Sequence, residues 1–201
     1  MSRRRFMGSI EYTLTVYTTS GASVVVNGVN QTANSSGYAY YKLKKGTYSY
    51  SVSKSGYTSR SGSVIVTMNK TLSIPLTKNY VAGDFYYINN TIIGVMINSY
   101  QYVSLYDQAS SYVSWSSALS YESSYNVQGV SGWKIPEKSE WTTMYENKSV
   151  INASLGQVGS RIANDWYWVA LTNGAKTSCD FSNLNFWSPA ESNRVRLIHN
   201  A

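Results

Sequence analysis

Short runs of alternating apolar and polar residues fill the chain from Ile10 to Leu76, and glycine, asparagine and serine separate them. Such alternation predicts strands with one buried face, and their regular spacing predicts a small β-sandwich. The pair Asn27-Gly28 favours a tight hairpin, because both residues tolerate positive φ angles. The predicted strands are Tyr12–Tyr17, Ser23–Val26, Tyr38–Leu43, Tyr48–Ser53, Ser63–Met68 and Thr71–Leu76.

The pattern changes after Lys78-Asn79. Asp84–Asn98 is mostly apolar on either side of an Asn89-Asn90 turn and predicts strand structure. Ser114–Tyr125 spaces its apolar residues three and four apart, which predicts a helix lying on a sheet. The face of this helix towards the sheet would contain Trp115, Ala118, Leu119 and Glu122.

Two further helices are predicted. One begins at Pro136, because proline suits a first helical turn and the acidic Glu137 and Glu140 favour the positive end of the helix dipole. The other is Val150–Leu155. The buried stripe of the helix at Pro136 would contain Trp141, Met144 and Tyr145.

The C-terminal part returns to strands. Asp165–Leu171 is one, Thr177–Phe181 and Leu184–Trp187 form a hairpin, and Arg194–Ile198 closes the sheet. The order strand, helix, helix, β-meander predicts an α+β domain. The fold class is therefore mainly β plus α+β. The predicted parts are an N-terminal arm (1–9), an immunoglobulin-like sandwich (10–78) and an α+β domain (79–201).

The composition is rich in aromatic residues. The 201 residues include 19 tyrosines and six tryptophans, while only 13% are charged. Recognition surfaces favour tyrosine, serine, asparagine and glycine. Tyrosine and threonine also favour strands for reasons of packing alone. Both explanations of the composition stay open.

The net charge of +7 is unevenly distributed. Residues 1–78 contain ten basic residues and one acid, giving +9, whereas residues 79–201 have a net charge of −2. The difference favours two domains with different roles. The basic residues lie singly on strands and turns, without the clustered helix or aromatic platform of a nucleic-acid binder, so we predict no nucleic-acid partner. A basic docking surface competes here with a solvated, rigid stalk, which we favour.

Single cysteine and histidine residues limit the chemistry. Because Cys179 is the only cysteine and His199 the only histidine, the chain can form no intrachain disulfide, no cysteine-based zinc site and no multi-histidine metal centre. We predict no cofactor and no metal. The chain lacks an apolar stretch of the ~20 residues that a membrane span needs, and the start lacks the apolar region of a signal peptide. We therefore predict no membrane insertion.

Three segments of the first part resemble known immunoglobulin-like domains. These are Gly21–Gly28, Gly46–Tyr50 and Gly56-Tyr57, which are similar to PEGA-type and carboxypeptidase-regulatory-like domains. The resemblance implies an immunoglobulin-like sandwich that acts as a spacer or attachment domain and has no catalytic residues.

The second part resembles a bacterial and phage branch of C-type-lectin-like domains. The frame Gly132-Trp133-Lys134-Ile135-Pro136, followed by Glu140-Trp141, is similar to a motif of that branch. The resemblance implies two helices and a β-meander, and Val169-Ala170 departs from the usual Ser-Ser. We assign Trp133, Trp141 and Trp168 to the core. The other matching elements, in the family's order, are Ile151–Leu155, Tyr167-Trp168 and Val195-Arg196.

The branch includes the variable proteins of diversity-generating retroelements, whose ligand surface lies in the C-terminal loops and strands. The resemblance therefore implies a ligand surface within 172–193. Its asparagines fit adenine-targeted mutagenesis, and they equally fit a loop-rich meander. The candidate ligand-binding residues are Asn173, Lys176, Ser178, Asp180, Ser182, Asn183, Asn185, Glu191 and Asn193.

The sequence lacks the residues that catalysis or calcium binding would need. The Glu-Pro-Asn, Gln-Pro-Asp and Trp-Asn-Asp motifs of calcium-dependent lectins are absent, and the nine acids of residues 79–201 do not cluster. The oxidases that share this fold use paired cysteines, whereas Cys179 occupies an inward-facing strand position. We predict that the protein is not an enzyme and has no catalytic residues.

The features together favour a virion-surface protein of a bacteriophage, such as a head fibre, decoration or tail-associated protein. The sandwich would contact virion or capsid proteins, and the lectin-like head would bind a host-surface glycan or protein, with homo-oligomerisation expected. The start Arg3-Arg4-Arg5-Phe6 resembles N-terminal segments of gut-phage structural proteins and predicts an anchor. Two alternatives are a purely structural capsid or fibre component and a bacterial cell-surface binding protein.

Overall fold

A computed structural model of the chain describes residues 10–188 and 191–201. The chain divides into two compact units, and the boundary along the sequence falls between Asn79 and Tyr80. The described residues are mostly β structure, with few helices. The predicted anchor, Arg3 to Phe6, lies outside the described residues.

The first unit is a sandwich of two sheets around one buried apolar cluster. A three-stranded sheet has the order β4-β1-β7, and a four-stranded sheet has the order β3-β2-β5-β6. Strand β1 pairs antiparallel with β4 and parallel with β7. The strands are β1 (Glu11–Thr18), β2 (Ser23–Val26), β3 (Val29–Thr32), β4 (Tyr38–Lys44), β5 (Gly46–Ser53), β6 (Arg60–Val66) and β7 (Lys70–Ile74).

The pattern of alternation finds six of these seven strands and misses β3. Strand β3 pairs with β2 across the predicted Asn27-Gly28 turn, where the φ angles are 51° and 79°. Its residues Val29–Thr32 are mostly exposed, and β3 pairs on one side only, with β2. A strand at a sheet edge buries little apolar surface, so hydrophobic patterning cannot reveal it.

The second unit contains two sheets and three helices. One sheet has the order β14-β10-β9-β8, and the other is the meander β11-β12-β13. Its strands are β8 (Phe85–Ile88), β9 (Thr91–Met96), β10 (Gln101–Ser104), β11 (Trp166–Ala170), β12 (Lys176–Asp180), β13 (Asn185–Trp187) and β14 (Ile198–Asn200). Its helices are α1 (Trp115–Ser124), α2 (Lys138–Glu146) and α3 (Lys148–Val158).

The helices begin where capping residues allow it. Ser114 caps α1, since its side chain accepts a hydrogen bond from the Ser117 amide. In α1, Ala118 is buried, but Leu119 is 44% exposed, so its predicted place on the buried face is wrong. Helix α2 begins at Lys138 and not at Pro136, because Glu137 is its N-cap in a capping box with Glu140.

The C-terminal segment differs from the predicted strand Arg194–Ile198. Arg194 forms an isolated parallel bridge with Tyr167, and Ile198–Asn200 forms β14, which pairs with β10. Strand β10 itself has no counterpart in the prediction. Its four residues are all buried, two of them polar, so the segment lacks the alternation that marks a half-buried strand.

The segment Gly132–Pro136 around Trp133 connects α2 to the sheet that contains β14. The Trp133 ring is 2% exposed, and the Lys134 and Ile198 backbones exchange two hydrogen bonds of 2.9 Å. Lys134 Nζ lies 2.7 Å from Glu140 Oε1, which also accepts a bond of 2.6 Å from Gln101 Nε2. The side chains of Trp141 and Trp168 are fully buried, which confirms the assignment of all three tryptophans to the core.

Replacing Glu140 with alanine should lower the free energy of unfolding by about 3 kcal/mol. The substitution removes the acceptor of Gln101 and Lys134 at a position that is 8% exposed, together with half of the capping box. Urea denaturation would measure the loss. Glu146→Ala, at the exposed end of the same helix, is the matched control and should cost less than about 0.5 kcal/mol. Equal losses would contradict the role given to Glu140.

Candidate binding pocket

A pocket of about 210 Å³ lies on the outer face of the meander. Three aromatic side chains form its walls: Tyr112, Trp166 and Trp187. Polar groups come from Ser178, Ser192 and Asn193. Pockets that combine apolar walls with a few placed polar groups are typical of ligand sites.

Strand pairing explains why these side chains meet. Ser178 pairs with both Trp168 and Trp187, and Trp166 precedes Trp168 by two residues on β11. Residues paired across antiparallel strands share a face of the sheet, as do residues two apart on one strand. The intervening residues, such as Tyr167 and Cys179, turn to the opposite face and are fully buried in the core.

Five predicted ligand-binding residues come together near this face. Lys176, Ser178 and Asp180 alternate along β12, and Asn185 pairs with Asp180 on β13. Asn193 joins them from the C-terminal segment, but only Ser178 and Asn193 of the five line the pocket. Lys176 Nζ instead lies 4.9 Å from the centre of the Trp168 ring.

The other four predicted residues lie in turns. Asn173 accepts a hydrogen bond of 3.1 Å from the Ala175 amide. Asn183 accepts one of 3.1 Å from the Asn185 amide, and Ser182 donates its amide to Asp180 Oδ1 at 2.8 Å. These bonds stabilise the turn backbone. Glu191 is exposed and follows the two residues, 189 and 190, that the structure does not describe.

Asn193 lines the pocket and has a buried hydrogen-bond acceptor that is not used. Its side chain is fully buried, and Nδ2 donates a bond of 2.7 Å to Ser178 Oγ. Among the described residues, none donates to Asn193 Oδ1. A buried acceptor without a donor costs free energy.

A chain of alternating charges connects the pocket wall to the core. The fully buried Arg196 places Nε 2.8 Å from Asp107 Oδ1, and Asp107 Oδ2 lies 3.5 Å from Arg194 Nη1. Arg194 Nε then lies 2.6 Å from Asp165 Oδ2. Asp165 Oδ1 accepts a short hydrogen bond from the Tyr112 hydroxyl. The orientation of Tyr112 is therefore set by groups outside the pocket.

At the pocket end of this chain of charges, the pKa values of Tyr112 and Asp165 are shifted. The hydrogen bond from Tyr112 to Asp165 raises the pKa of Tyr112 above the ordinary value, because a nearby carboxylate stabilises the neutral phenol. Partial burial works to raise the pKa of Asp165, but hydrogen bonds from Tyr112, Arg194 and the Trp166 amide lower it below its usual range. Asp165 is thus ionised at neutral pH.

Sequence reasoning missed the three aromatic walls. Trp187 could have been found, because the predicted hairpin already placed it on the strand opposite Ser178. No sequence signal brings Tyr112 to the site, since it lies more than 50 residues before Asp165 and meets it only in the folded chain.

Residues 11–79 match the family model described as the PEGA domain. The match spans the first unit, which is a β-sandwich, and it confirms the predicted resemblance of that unit to PEGA-type domains. No curated protein sequence matches the chain. Among solved structures, it is similar to a chain of a type II cohesin–X-dockerin complex, a C-terminal interface mutant from Acetivibrio cellulolyticus. The identity is 23%, over 41% of this chain and 65% of that chain, and the TM-score of 0.30 does not establish a shared fold.

The described residues offer neither a metal-binding cluster nor a membrane-spanning helix. Residues 10–188 and 191–201 contain no group of three or more His, Cys, Asp or Glu side chains placed to hold a metal ion. Within the same ranges, no helix is both long and apolar enough to cross a membrane.

Replacing Asp165 with asparagine should lower the pKa of Tyr112 towards its ordinary value. A neutral amide neither repels the phenolate nor accepts as strong a hydrogen bond as a carboxylate. The fluorine resonance of 3-fluorotyrosine placed at position 112 alone reports this titration. The same label at the exposed Tyr100 is the control, and its chemical shift at neutral pH should not respond to the substitution. Identical titration of position 112 in both proteins would show that Asp165 does not hold Tyr112.

Proposed function

We propose that this chain is a non-enzymatic binding protein, with a lectin-like recognition head in residues 80–201 and a PEGA-type spacer in residues 11–79. The head binds one sugar unit of a surface glycan in the aromatic pocket, without calcium. The spacer holds the head away from the particle or surface to which the protein is attached.

The aromatic pocket carries this proposal. Trp187 is 61% exposed and lines the concave site, so its indole ring is available to a ligand. The apolar face of a sugar ring can stack on such an indole ring, while a ring hydroxyl can bond the Ser192 side chain, which also lines the pocket. The charges next to the pocket fit a neutral ligand, because the carboxylate of Asp165 is already paired with Arg194.

The lectin-like frame supports the assignment of the head. The frame residues Trp133, Lys134 and Glu140 have structural roles between a helix and a sheet, as expected for family-defining positions rather than ligand contacts. The strands of the meander then supply Trp166, Ser178 and Trp187 to the pocket. We infer that the C-terminal segment varies among relatives on the pocket face, where a retroelement would act, and not at the core positions of the same strands.

The chemistry of the single cysteine and histidine supports a non-enzymatic role. Burial raises the pKa of the Cys179 thiol to about 12, so the thiol stays protonated and is a poor nucleophile at neutral pH. His199 Nε2 lies 2.9 Å from the Ser131 carbonyl oxygen, and its ring packs against Tyr102 and Trp133. Among the described residues, it is therefore not paired with any of the three pocket serines as a general base.

We further propose that the protein works on a virion surface, attached to capsid or virion proteins through its N-terminal part. The resemblance of Arg3 to Phe6 to gut-phage structural proteins supports this setting. Deleting residues 1–9 should abolish incorporation into virions, as measured by immunoblotting of purified particles. Normal incorporation of the shortened protein would remove the anchor from the proposal.

Replacing Trp187 with alanine should weaken glycan binding about tenfold or more, because a central aromatic contact typically contributes above 1.4 kcal/mol. Glycan arrays and whole-cell binding by the full chain provide the measurement. Tyr100→Ala is the matched control: Tyr100 is an equally exposed (61%) aromatic residue of the same unit and does not line the pocket.

Two outcomes would contradict the proposed function. Equal losses in the two variants would show that the pocket is not the site. Failure of the wild-type chain to bind any glycan or host cell, together with a stable oligomer in solution, would favour the purely structural role instead.

A further inference from the structure

A second groove runs along the exposed side of α3, on a different part of the unit from the aromatic pocket. Its volume is about 520 Å³. Lys148, Ser149 and Asn152 line it from the helix, and Arg161 and Asn164 line it from the segment that follows. Gly156 leaves room for the Arg161 side chain, since a Cβ atom there would lie 2.8 Å from Arg161 Nε.

Two cations of this groove form no close ion pair. The second unit has seven basic residues, and three of them form ion pairs: Lys134, Arg194 and Arg196. Within residues 80–188 and 191–201, no carboxylate lies within 4 Å of Lys148 or Arg161, although Asp180 acts on Lys148 at longer range. The groove thus brings together two of the basic residues of the unit that lack a close ion pair.

The free polar groups of the groove can all donate hydrogen bonds. Asn152 is fully used, because its Oδ1 and Nδ2 bond the Ile162 backbone at 2.8 and 3.0 Å. Lys148 uses two of its three donors, on Asn164 Oδ1 and the Phe181 carbonyl. Among the described residues, no hydrogen bond is found for the Ser149 hydroxyl, the Asn164 Nδ2 group or the Arg161 guanidinium.

We infer that this groove binds an oxyanion, the carboxylate or sulfate group of an acidic saccharide, with Arg161 and Lys148 as its cationic contacts. Only a ligand rich in acceptors and negatively charged can use four donor groups and two positive charges at once. The guanidinium of Arg161 offers a paired fork of N–H groups that fits a planar carboxylate. Lys148 is held in place by Asn164 and Phe181, so its ammonium group is already positioned.

The groove and the aromatic pocket select different chemistry. The pocket is walled by aromatic rings, whereas the groove has free donors and positive charge. The inference therefore stands or fails independently of the proposed function.

Calorimetric titration of the full chain with oligogalacturonate and, separately, with inorganic sulfate tests the inference. Arg161→Gln should weaken binding about fivefold, and Arg161→Glu should weaken it further, because an exposed ion pair contributes up to about 1 kcal/mol. Amide resonances of residues 148–164 should shift on titration. Binding of the sugar acid alone would assign the site to a saccharide, and binding of both probes would assign it to oxyanions in general.

Two control proteins distinguish a defined site from general attraction by the charge of the protein. Lys138→Gln makes the same charge change on α2, outside the groove, and should leave the affinity within twofold. Trp187→Ala removes a wall of the pocket and should also leave it unchanged. Circular dichroism should confirm that Arg161→Gln is folded. Equal weakening by Lys138→Gln, or no weakening by Arg161→Gln, would overturn the inference, as would the absence of binding to both probes.

Discussion

A guanidinium group without access to solvent holds the second unit together. Arg196 is fully buried, and burial lowers the pKa of its side chain, so its charge needs partners inside the protein. Its Nη1 and Nη2 groups donate to the Ser104 and Ser160 carbonyl oxygens, both at 2.9 Å. Its Nε forms an ion pair of 2.8 Å with Asp107 Oδ1, without the geometry of a hydrogen bond. One side chain thus ties the end of β10 to the segment after α3. A buried charge left without these partners would destabilise the unit strongly.

The Arg196–Asp107 ion pair is connected to the wall of the candidate pocket. Asp107 is shared between Arg196 in the core and Arg194 near the surface, and Asp165 continues the chain to Tyr112. Alternating charges neutralise one another, so the path costs less than isolated buried charges would. The wall of the pocket is therefore fixed by the core and does not depend on a ligand for its position.

The two-residue period of the meander's strands places different residues on its two faces. Tyr167, Cys179 and Phe186 pack in one core cluster, while Trp166 and Trp187 line the pocket on the other face. Trp168 lies on the same face as Trp166 but is fully buried in a second core cluster, so the pocket face also contributes to stability. The oxyanion groove uses another element, α3, so the two surfaces can change independently.

The sequence by itself determined the local structure of this protein. Alternation located the strands of the sandwich, the Asn27-Gly28 pair located its hairpin, and the frame around Trp133 located the core tryptophans, because each signal depends on neighbouring residues. It could not reveal β3 or β10, since one is mostly exposed and the other is buried throughout. The meeting of Tyr112 with Asp165, and of Asn193 with Ser178, was decided only by the tertiary structure. These pairs form through long-range packing, which no local pattern encodes.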